Sequence, residues 1–253
     1  MRSPRRVAVI AATVTALALA GLGGVAHAAF PNFSGCTATD LEVSSCLDIQ
    51  QRSGNLNIKG FNMPLHETME IRGMLQANGT EIPTFVPPTG TNGFFTRPVS
   101  VPGGIFGIEW LPGNEVLAIT ELAGPASSIR LNILTHEVTM PIKVRLVNLL
   151  LGMDCHIGTN SRPVVLNLIT GTTSPPAPNR PISGSFGEPE GTTTRVIFRG
   201  AKNVENSFSV PGATECGLGL GLINSLVNLR LGLPSAGGNN FAEVTNDVAL
   251  GLP

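Results

Sequence analysis

Apolar and polar residues alternate along much of the chain with the two-residue period of β-strands. The clearest run covers 138–147, and its apolar positions are Val138, Met140, Ile142, Val144 and Leu146. One face of this run is expected to be buried, and the other, which is mostly polar, to meet solvent. Shorter strand candidates are 54–60, 69–75, 94–101, 105–111, 115–122, 129–133, 163–169, 193–199, 203–210 and 241–249. Turn residues separate these runs, so the pattern predicts an all-β protein, mainly an antiparallel β-sandwich or a barrel-like fold.

One segment near the C-terminus has helical spacing instead. Leu218, Leu222, Leu226 and Leu229 recur at intervals of three and four residues, and Pro234 follows the run. The sequence therefore predicts one short helix over 217–230 that lies across an end of the sandwich.

Prolines mark two irregular places in this pattern. Pro141 lies inside the strongest strand run, and because proline cannot donate to a ladder it predicts an edge strand or a bulge. The stretch 170–181 contains four prolines and is typical of an extended connection. We expect a long loop within a single domain over 29–253, since a Cys155–Cys216 bridge would span it. A division into two domains near 170–181 is the alternative.

Residues 1–28 have the organisation of a secretory signal peptide. Arginines precede an apolar run from Val7 to Leu22, and Ala26-His27-Ala28 forms a small-residue cleavage site. An uncleaved membrane anchor is the alternative, and the clean cleavage site argues against it. No later stretch is apolar over the ~18 residues that a membrane helix requires. The sequence thus predicts export, with cleavage near Ala28 and no transmembrane anchor in the mature chain.

Charge restricts the partners of the exported chain. After residue 28 there are 13 basic and 17 acidic residues, which leaves a formal charge of −4. Nucleic acids and anionic membranes attract cationic surfaces, so neither is an expected partner. Charged residues make up 13% of the chain and hydrophobic residues 42%, with a mean hydropathy of +0.23. A packed core is therefore expected.

Four cysteines remain after export, and they are Cys36, Cys46, Cys155 and Cys216. An even number in an oxidising compartment indicates disulfides, whereas the lack of a C-x-x-C pair argues against zinc. Three pairings are formally available. Cys36–Cys46 and Cys155–Cys216 are favoured because each closes the shorter loop.

The histidines give little sign of catalysis or of metal binding. His66-Glu67 and His136-Glu137 lack the second histidine of a zinc protease motif, and adjacent side chains of a strand point to opposite faces. Within Asp154-Cys155-His156, the aspartate and the histidine would share one face of a strand. This pair is the one local acid–base candidate, although such pairs are more often surface ion pairs. No motif requires a metal or a cofactor.

The aromatic content argues against carbohydrate binding, because the chain has no Tyr and one Trp. Trp110 lies between apolar neighbours in a predicted strand and is expected in the core. Low charge and abundant aliphatic residues suggest a surface that suits apolar envelope material or another protein. We therefore expect a non-enzymatic structural or binding role at the cell envelope or outside the cell. The alternatives are a secreted hydrolase that uses a His/Asp pair and a carrier of a small apolar ligand.

Three stretches of the sequence bear on its relationship to other proteins. They are I-K-V-R-L-V-N-L-L-L-G-M-D-C-H-I-G at 142–158, L-N-L-I-T-G-T-T-S-P-P-A-P at 166–178 and V-N-L-R-L-G-L-P-S-A-G-G-N-N at 227–240. Together they resemble a group of exported actinobacterial proteins of unassigned function, over roughly 128–240 and most specifically at Cys155-x-Ile157-Gly158. The resemblance implies a shared lineage and export, and it assigns no activity and no catalytic residue.

Overall fold

The computed structural model of the chain describes residues 30–36, 43–77, 79, 82–108, 110–217 and 221–253. Within this part, two antiparallel β-sheets enclose an apolar core, and one helix lies near the C-terminus. The predicted all-β sandwich with one short C-terminal helix is thereby confirmed. The predicted signal peptide, 1–28, lies outside the described residues.

Each sheet is organised around one long strand. The eight-stranded first sheet contains β1 (Val43–Ile58), β2 (Phe61–Leu65), β3 (Met69–Gln76), β4 (Thr84–Val86), β5 (Phe94–Thr96), β12 (Glu188–Gly191), β13 (Arg195–Glu205) and β15 (Asn240–Gly251). The seven-stranded second sheet contains β6 (Val99–Ser100), β7 (Leu117–Leu122), β8 (Arg130–Asn132), β9 (Glu137–Val147), β10 (His156–Ile157), β11 (Val164–Leu168) and β14 (Ala213–Thr214). In the first sheet β1 pairs with β15, β3 and β2, and in the second β9 pairs with β7, β8, β10 and β11.

The alternation in β9 produces a sheet with one buried face. Every second side chain from Val138 to Leu146 is buried, and the side chains between them are half-buried. The buried set packs in one cluster with Leu47 and Ile49 of β1 in the first sheet. Because each such side chain contributes about 1.5–3 kcal/mol when it leaves water, the period of two fixes which face of β9 turns inward.

The expectation that Pro141 marks an edge strand or a bulge is wrong, because β9 is paired on both sides without a register shift. On one side, β11 runs past Pro141. On the other side, β7 ends at Leu122, and β8 starts only at Arg130, opposite Thr139. Pro141 lies in the gap between these two strands, so its missing amide hydrogen costs no ladder bond.

β1 is much longer than the predicted 54–60, and from Cys46 to Gln51 it is buried on both faces. One face packs against the second sheet. The segment 30–36 covers the other face, where the Asn32 amide donates to the Asp48 carboxylate. Because a strand covered on both sides need not alternate, the two-residue pattern did not reveal the first half of β1.

The helix α1 covers Gly221–Leu231 and ends one residue beyond the predicted 217–230. Gly232 follows it with a φ of +66°, and the Leu233 amide donates to the Asn228 carbonyl. This arrangement is a Schellman cap, which favours glycine because of its left-handed backbone. Residues 218–220, which the prediction placed in the helix, lie outside the described part.

The predicted strand 105–111 is not a strand where the structure describes it. The chain there forms turns, and Gly103, Gly104 and Gly107 have positive φ. A Cβ atom on Gly104 would collide with the backbone of Asn114, so this turn requires glycine. The Asn114 side chain holds the loop by donating to the carbonyl of Ile108, at 2.6 Å, and to that of Gly103, at 2.8 Å.

The proline-rich stretch 170–181 connects β11 of the second sheet to β12 of the first. The side-chain amide of Asn179 donates to the carbonyls of Asn206 and Asn240, which attaches the stretch to the sandwich. These contacts favour a packed loop. The single domain over 29–253 stays a prediction.

Both favoured disulfides are present, and no cysteine within the described ranges is free. Cys36–Cys46 attaches the segment 30–36 to β1. Cys155–Cys216 joins the residue before β10 to the segment after β14. Each bond therefore fixes a different part of the sandwich.

Removing each disulfide by double serine substitution is expected to lower the free energy of unfolding. The loss should be about 4 kcal/mol for Cys155–Cys216 and about 3 kcal/mol for Cys36–Cys46, because the longer loop gains more entropy in the unfolded chain. Their sequence separations are 61 and 10 residues. Urea unfolding followed by circular dichroism measures both values, and a smaller loss for the longer loop would contradict this order.

Candidate functional site

Asp154 and His156, the residues that the sequence singled out, lie beside the Cys155–Cys216 bond. Asp154 is exposed before β10, and His156 is the first residue of that strand. The His156 Nδ1 atom lies 2.7 Å from the main-chain oxygen of Asp154. Its Nε2 atom lies 3.8 Å from the carboxylate of Glu121 on β7. His156 thus contacts the backbone of Asp154 and a carboxylate from another strand.

Glu121 was missed by sequence reasoning because its partners come from other strands. The Arg145 Nε atom donates to its carboxylate at 2.7 Å, and the Lys143 Nζ atom lies 3.5 Å away. Burial alone would raise the pKa of Glu121. The hydrogen bond from Arg145 and the charges of Arg145, Lys143 and His156 outweigh burial and hold that pKa below its usual value. A carboxylate held ionised in this way is a weak proton acceptor, so the group has the character of an ion-pair cluster.

An open groove beside this cluster is lined by Asn92, Thr120, Lys143 and their neighbours, with no histidine among its lining residues. In the part of the chain that the structure describes, no three His, Cys, Asp or Glu residues are grouped so that they would hold a metal ion. The groove therefore brings together neither a histidine-based acid–base pair nor a set of metal ligands.

A wholly apolar cavity lies between the two sheets, lined by fifteen residues that include Phe61, Ala118, Ile142 and Leu231. The volume of this cavity is ≈ 40 Å³. An engineered protein cavity that binds benzene measures about 150 Å³. The cavity is therefore too small in this state for the ligand of a carrier protein.

Large apolar side chains are exposed on three segments near one end of the sandwich. They are Phe106, Ile108 and Trp110 from the loop after β6, Leu149, Leu150 and Met153 from the turn after β9, and Leu222 and Leu229 from α1. Fourteen large apolar side chains are exposed among the described residues, and these are eight of them. We call these eight residues the apolar end.

The expectation that Trp110 belongs to the core is wrong, because its side chain is 82% exposed. Its neighbour Ile108 is also exposed. The prediction assumed a strand that buries alternate residues, whereas the chain forms glycine-rich turns here and has no such alternation.

Hydrogen bonds attach both flanks of α1 to the neighbouring segments. On one flank, the Arg230 Nη2 atom donates to the Pro102 carbonyl at 3.0 Å, which holds the helix against the loop of Trp110. On the other flank, the Asn224 side-chain oxygen accepts the Cys216 amide at 2.9 Å. The helix therefore lies between the loop and the second disulfide.

The turn after β9 is attached in the same way. The Asn148 side chain donates to the carbonyl of Glu115 at 2.7 Å, at the end of the Trp110 loop. The Gly217 amide donates to the Leu151 carbonyl at 2.8 Å. The three segments are thus neighbours in space, although they are far apart in the sequence.

Three carboxylates are exposed around the apolar end in the part of the chain that the structure describes. Glu115, Asp154 and Glu215 are all exposed on the segments that form or adjoin it. Arg230 is half-buried, bonded to Pro102, and its guanidinium lies 5.0 Å from the Phe61 ring centre.

Lys59 is a second cation near the apolar end. It is exposed, and its side chain lies against Gly232 at the C-terminal end of α1. The flank of the helix beside Cys216 is therefore acidic, and the cations lie toward the other flank and the C-terminal end.

A different arrangement, in which partly exposed arginines surround the buried Asp247, lies where the segment 30–36 covers the first sheet. The Asp247 carboxylate accepts hydrogen bonds at 2.8 Å from both Arg52 and Arg199. The ring of Phe30 packs against both guanidinium groups, with centroid distances of 4.9 and 5.0 Å. Burial alone would raise the pKa of Asp247, but the Gly200 amide and the two arginines hold it below its usual value.

Asp48 belongs to the same region and is 1% exposed. Its Oδ2 atom accepts the Asn32 amide, and its Oδ1 atom has no hydrogen-bond partner among the described residues. Burial raises the pKa of Asp48 to about 6, with a smaller contribution from the negative charge of Glu70, although the Asn32 amide and nearby arginines act in the opposite direction. Nothing in the sequence indicates this, because the groups around Asp48 come from the segment 30–36 and from β3.

The fold and the surface together define a disulfide-bonded β-sandwich protein with one apolar end. Two disulfides are typical of proteins in an oxidising compartment. No helix in the described ranges is long and apolar enough to cross a membrane. Comparison with known proteins gives no match, whether with family models, curated proteins or solved structures.

Replacing Asp48 by Asn is expected to stabilise the protein at pH 8 by about 1–2 kcal/mol and to change little at pH 4. The folded-state pKa of about 6 lies above the ordinary value of 3.8. The bound proton therefore stabilises the folded state fully below about pH 4, and this contribution is lost as the pH rises through 6. The neutral amide side chain of the variant does not titrate, so the variant does not lose stability in this pH range.

Urea unfolding of both proteins at several pH values measures this effect. Asp154→Asn, which changes an exposed carboxylate, is the matched control and should shift stability by less than about 0.5 kcal/mol. Equal effects of Asp48→Asn at pH 4 and pH 8 would contradict the assignment.

Proposed function

We propose that this chain is an exported, non-enzymatic binding protein that works at the cell envelope or outside the cell through its apolar end. The observation that carries the proposal is the concentration of eight of the fourteen exposed large apolar side chains on three neighbouring segments. Soluble monomers rarely expose contiguous apolar patches of large size, and such patches commonly mark interaction sites.

The free energy that would be gained by burying these exposed side chains supports the proposal that the apolar end is a contact surface. Leu149 and Trp110 are 96% and 82% exposed, so nearly all of their apolar area remains available for binding. Burying a side chain of this size contributes about 1.5–3 kcal/mol. Because the disulfide and the hydrogen bonds already hold the three segments together, binding loses less conformational entropy than it would with mobile loops.

The polar features of the molecule favour binding over catalysis. His156 is placed against a backbone carbonyl and an ion-paired carboxylate, and the groove beside Glu121 has no histidine in its lining. A general acid–base site needs a group whose pKa is poised near the working pH and that reaches an open cleft. The small apolar cavity likewise gives a carrier little room.

Substituting Leu149 and Met153 together by Ser is expected to weaken binding to the cell-envelope fraction of the producing organism by at least about tenfold. Both side chains are exposed, so folding should not change. Leu134→Ser with Leu252→Ser, which alters two exposed leucines outside the apolar end, is the matched control. Co-sedimentation of purified protein with envelope fragments measures binding.

Two results would count against the proposed function. One is wild-type protein that stays entirely in the supernatant with every envelope fraction. The other is an equal loss of binding in both double variants, because it would show that the apolar end contributes nothing beyond general hydrophobicity.

A further inference from the structure

The helix α1 carries apolar side chains on two opposite sides. Val227 and Leu231 are buried, whereas Leu222 and Leu229 are 79% and 83% exposed. Leu226 is half-buried and also packs against the core, and with the exposed pair it forms an outer stripe with spacings of four and three residues. A surface helix normally turns polar residues to water, and this spacing is the one at which one helix packs along another.

The loop after β6 lies along one flank of this stripe. Gly103 packs so closely against the Arg230 guanidinium that a Cβ atom there would collide with it. Phe106 and Trp110, which are exposed, belong to this loop. A helix seated on the outer stripe would therefore have aromatic side chains within reach on that flank.

The other flank is acidic. Glu215 precedes Cys216, whose amide is bound to Asn224 of α1, and Asp154 precedes the cysteine on the other side of the disulfide. Both carboxylates are exposed. Glu115 is also exposed, but it lies at the end of the loop after β6. No salt bridge of these three carboxylates is found among the described residues, so they are available to cations of a partner.

The charges around this surface also determine which kinds of partner could bind to it. An anionic lipid surface would be repelled by the three carboxylates, and peripheral helices that lie on membranes carry Lys and Arg on their polar faces instead. A second copy of this chain, packed antiparallel about a two-fold axis, would bring each flank against its own copy and so place carboxylates opposite carboxylates. A helix that has an apolar contact face and basic residues along one edge is complementary to both the outer stripe and the acidic flank.

We propose that the apolar end binds an amphipathic α-helix of another protein. The contact face of that helix presents apolar residues to Leu222, Leu226 and Leu229, and one edge presents Lys or Arg to the acidic flank. About three turns of it lie along α1, which at 11 residues is about 16 Å long. This inference rests on the proposed function, since it names the partner of the same surface.

Two synthetic helical peptides test the proposal. Both have leucine at heptad positions a and d, and one carries Lys while the other carries Glu at positions e and g. Trp110 is the only tryptophan of the chain, so a blue shift of its fluorescence reports binding at the apolar end. The Lys peptide is expected to bind at least tenfold more tightly than the Glu peptide at low salt, with a difference that shrinks as salt is added.

Two sets of variants measure the contribution of the outer stripe and that of the acidic flank to binding separately. Leu222→Ser with Leu229→Ser should weaken binding of the Lys peptide at least tenfold, whereas Leu134→Ser with Leu252→Ser should not change it. Replacing Asp154 and Glu215 together by Lys should reverse the preference in favour of the Glu peptide. All of these side chains are exposed, and far-UV circular dichroism checks that each variant is folded.

Three results would overturn the proposal. They are equal binding of the two peptides or no binding of either, a Trp110 blue shift with uncharged phosphatidylcholine vesicles only, and self-association of the wild type in sedimentation that the Leu222/Leu229 variant abolishes. If the envelope binding that requires Leu149 and Met153 persists while both peptides fail, the partner named here is wrong and the proposed function still holds.

Discussion

The Cys155–Cys216 bond is the constraint on which the apolar end depends. The strands beside it, β10 and β14, have two residues each, and each hydrogen bond of so short a ladder contributes only about 0.5–1.5 kcal/mol. Ordering the backbone costs about 1–2 kcal/mol per residue. The bond holds the turn after β9 against the chain that leads into α1. It therefore adds a covalent link to the core packing of Leu151, Val227 and Leu231, and together they hold the apolar end in place.

The parts of the fold that the sequence predicts are those where one local rule decides the outcome. In β9 a single buried face forces a period of two, and Val138 to Leu146 follow it without interruption. In α1 the leucine spacing and Pro234 indicate a helix and its end. The disulfide pairing follows from loop length. Where two rules compete, as at Pro141, the sequence does not show that the neighbouring strands leave a gap for the ring.

The apolar end was not predictable in the same way, because exposure depends on segments that meet only in three dimensions. Ile108 and Trp110 have the alternation of a strand, and only the turn geometry of Gly103 and Gly104 shows that they leave the sheet. The leucines of the turn after β9 continue an apolar strand in sequence, so nothing local distinguishes Leu149, which is exposed, from Leu146, which is buried. The first half of β1 was missed for the opposite reason, since polar residues such as Gln51 are buried there.

Two parts of β1, one around Asp48 and one at Ile58, have opposite surroundings. Near the segment 30–36 the carboxyl groups of Asp48 and Asp247 are buried, whereas beyond Ile58, where Lys59 meets Gly232, apolar side chains are exposed. Ten residues of strand separate these parts, which is about 33 Å. Perturbations that far apart are usually additive. Each part also has its own disulfide, so the buried carboxylates can set the pH dependence of stability without changing the proposed binding surface.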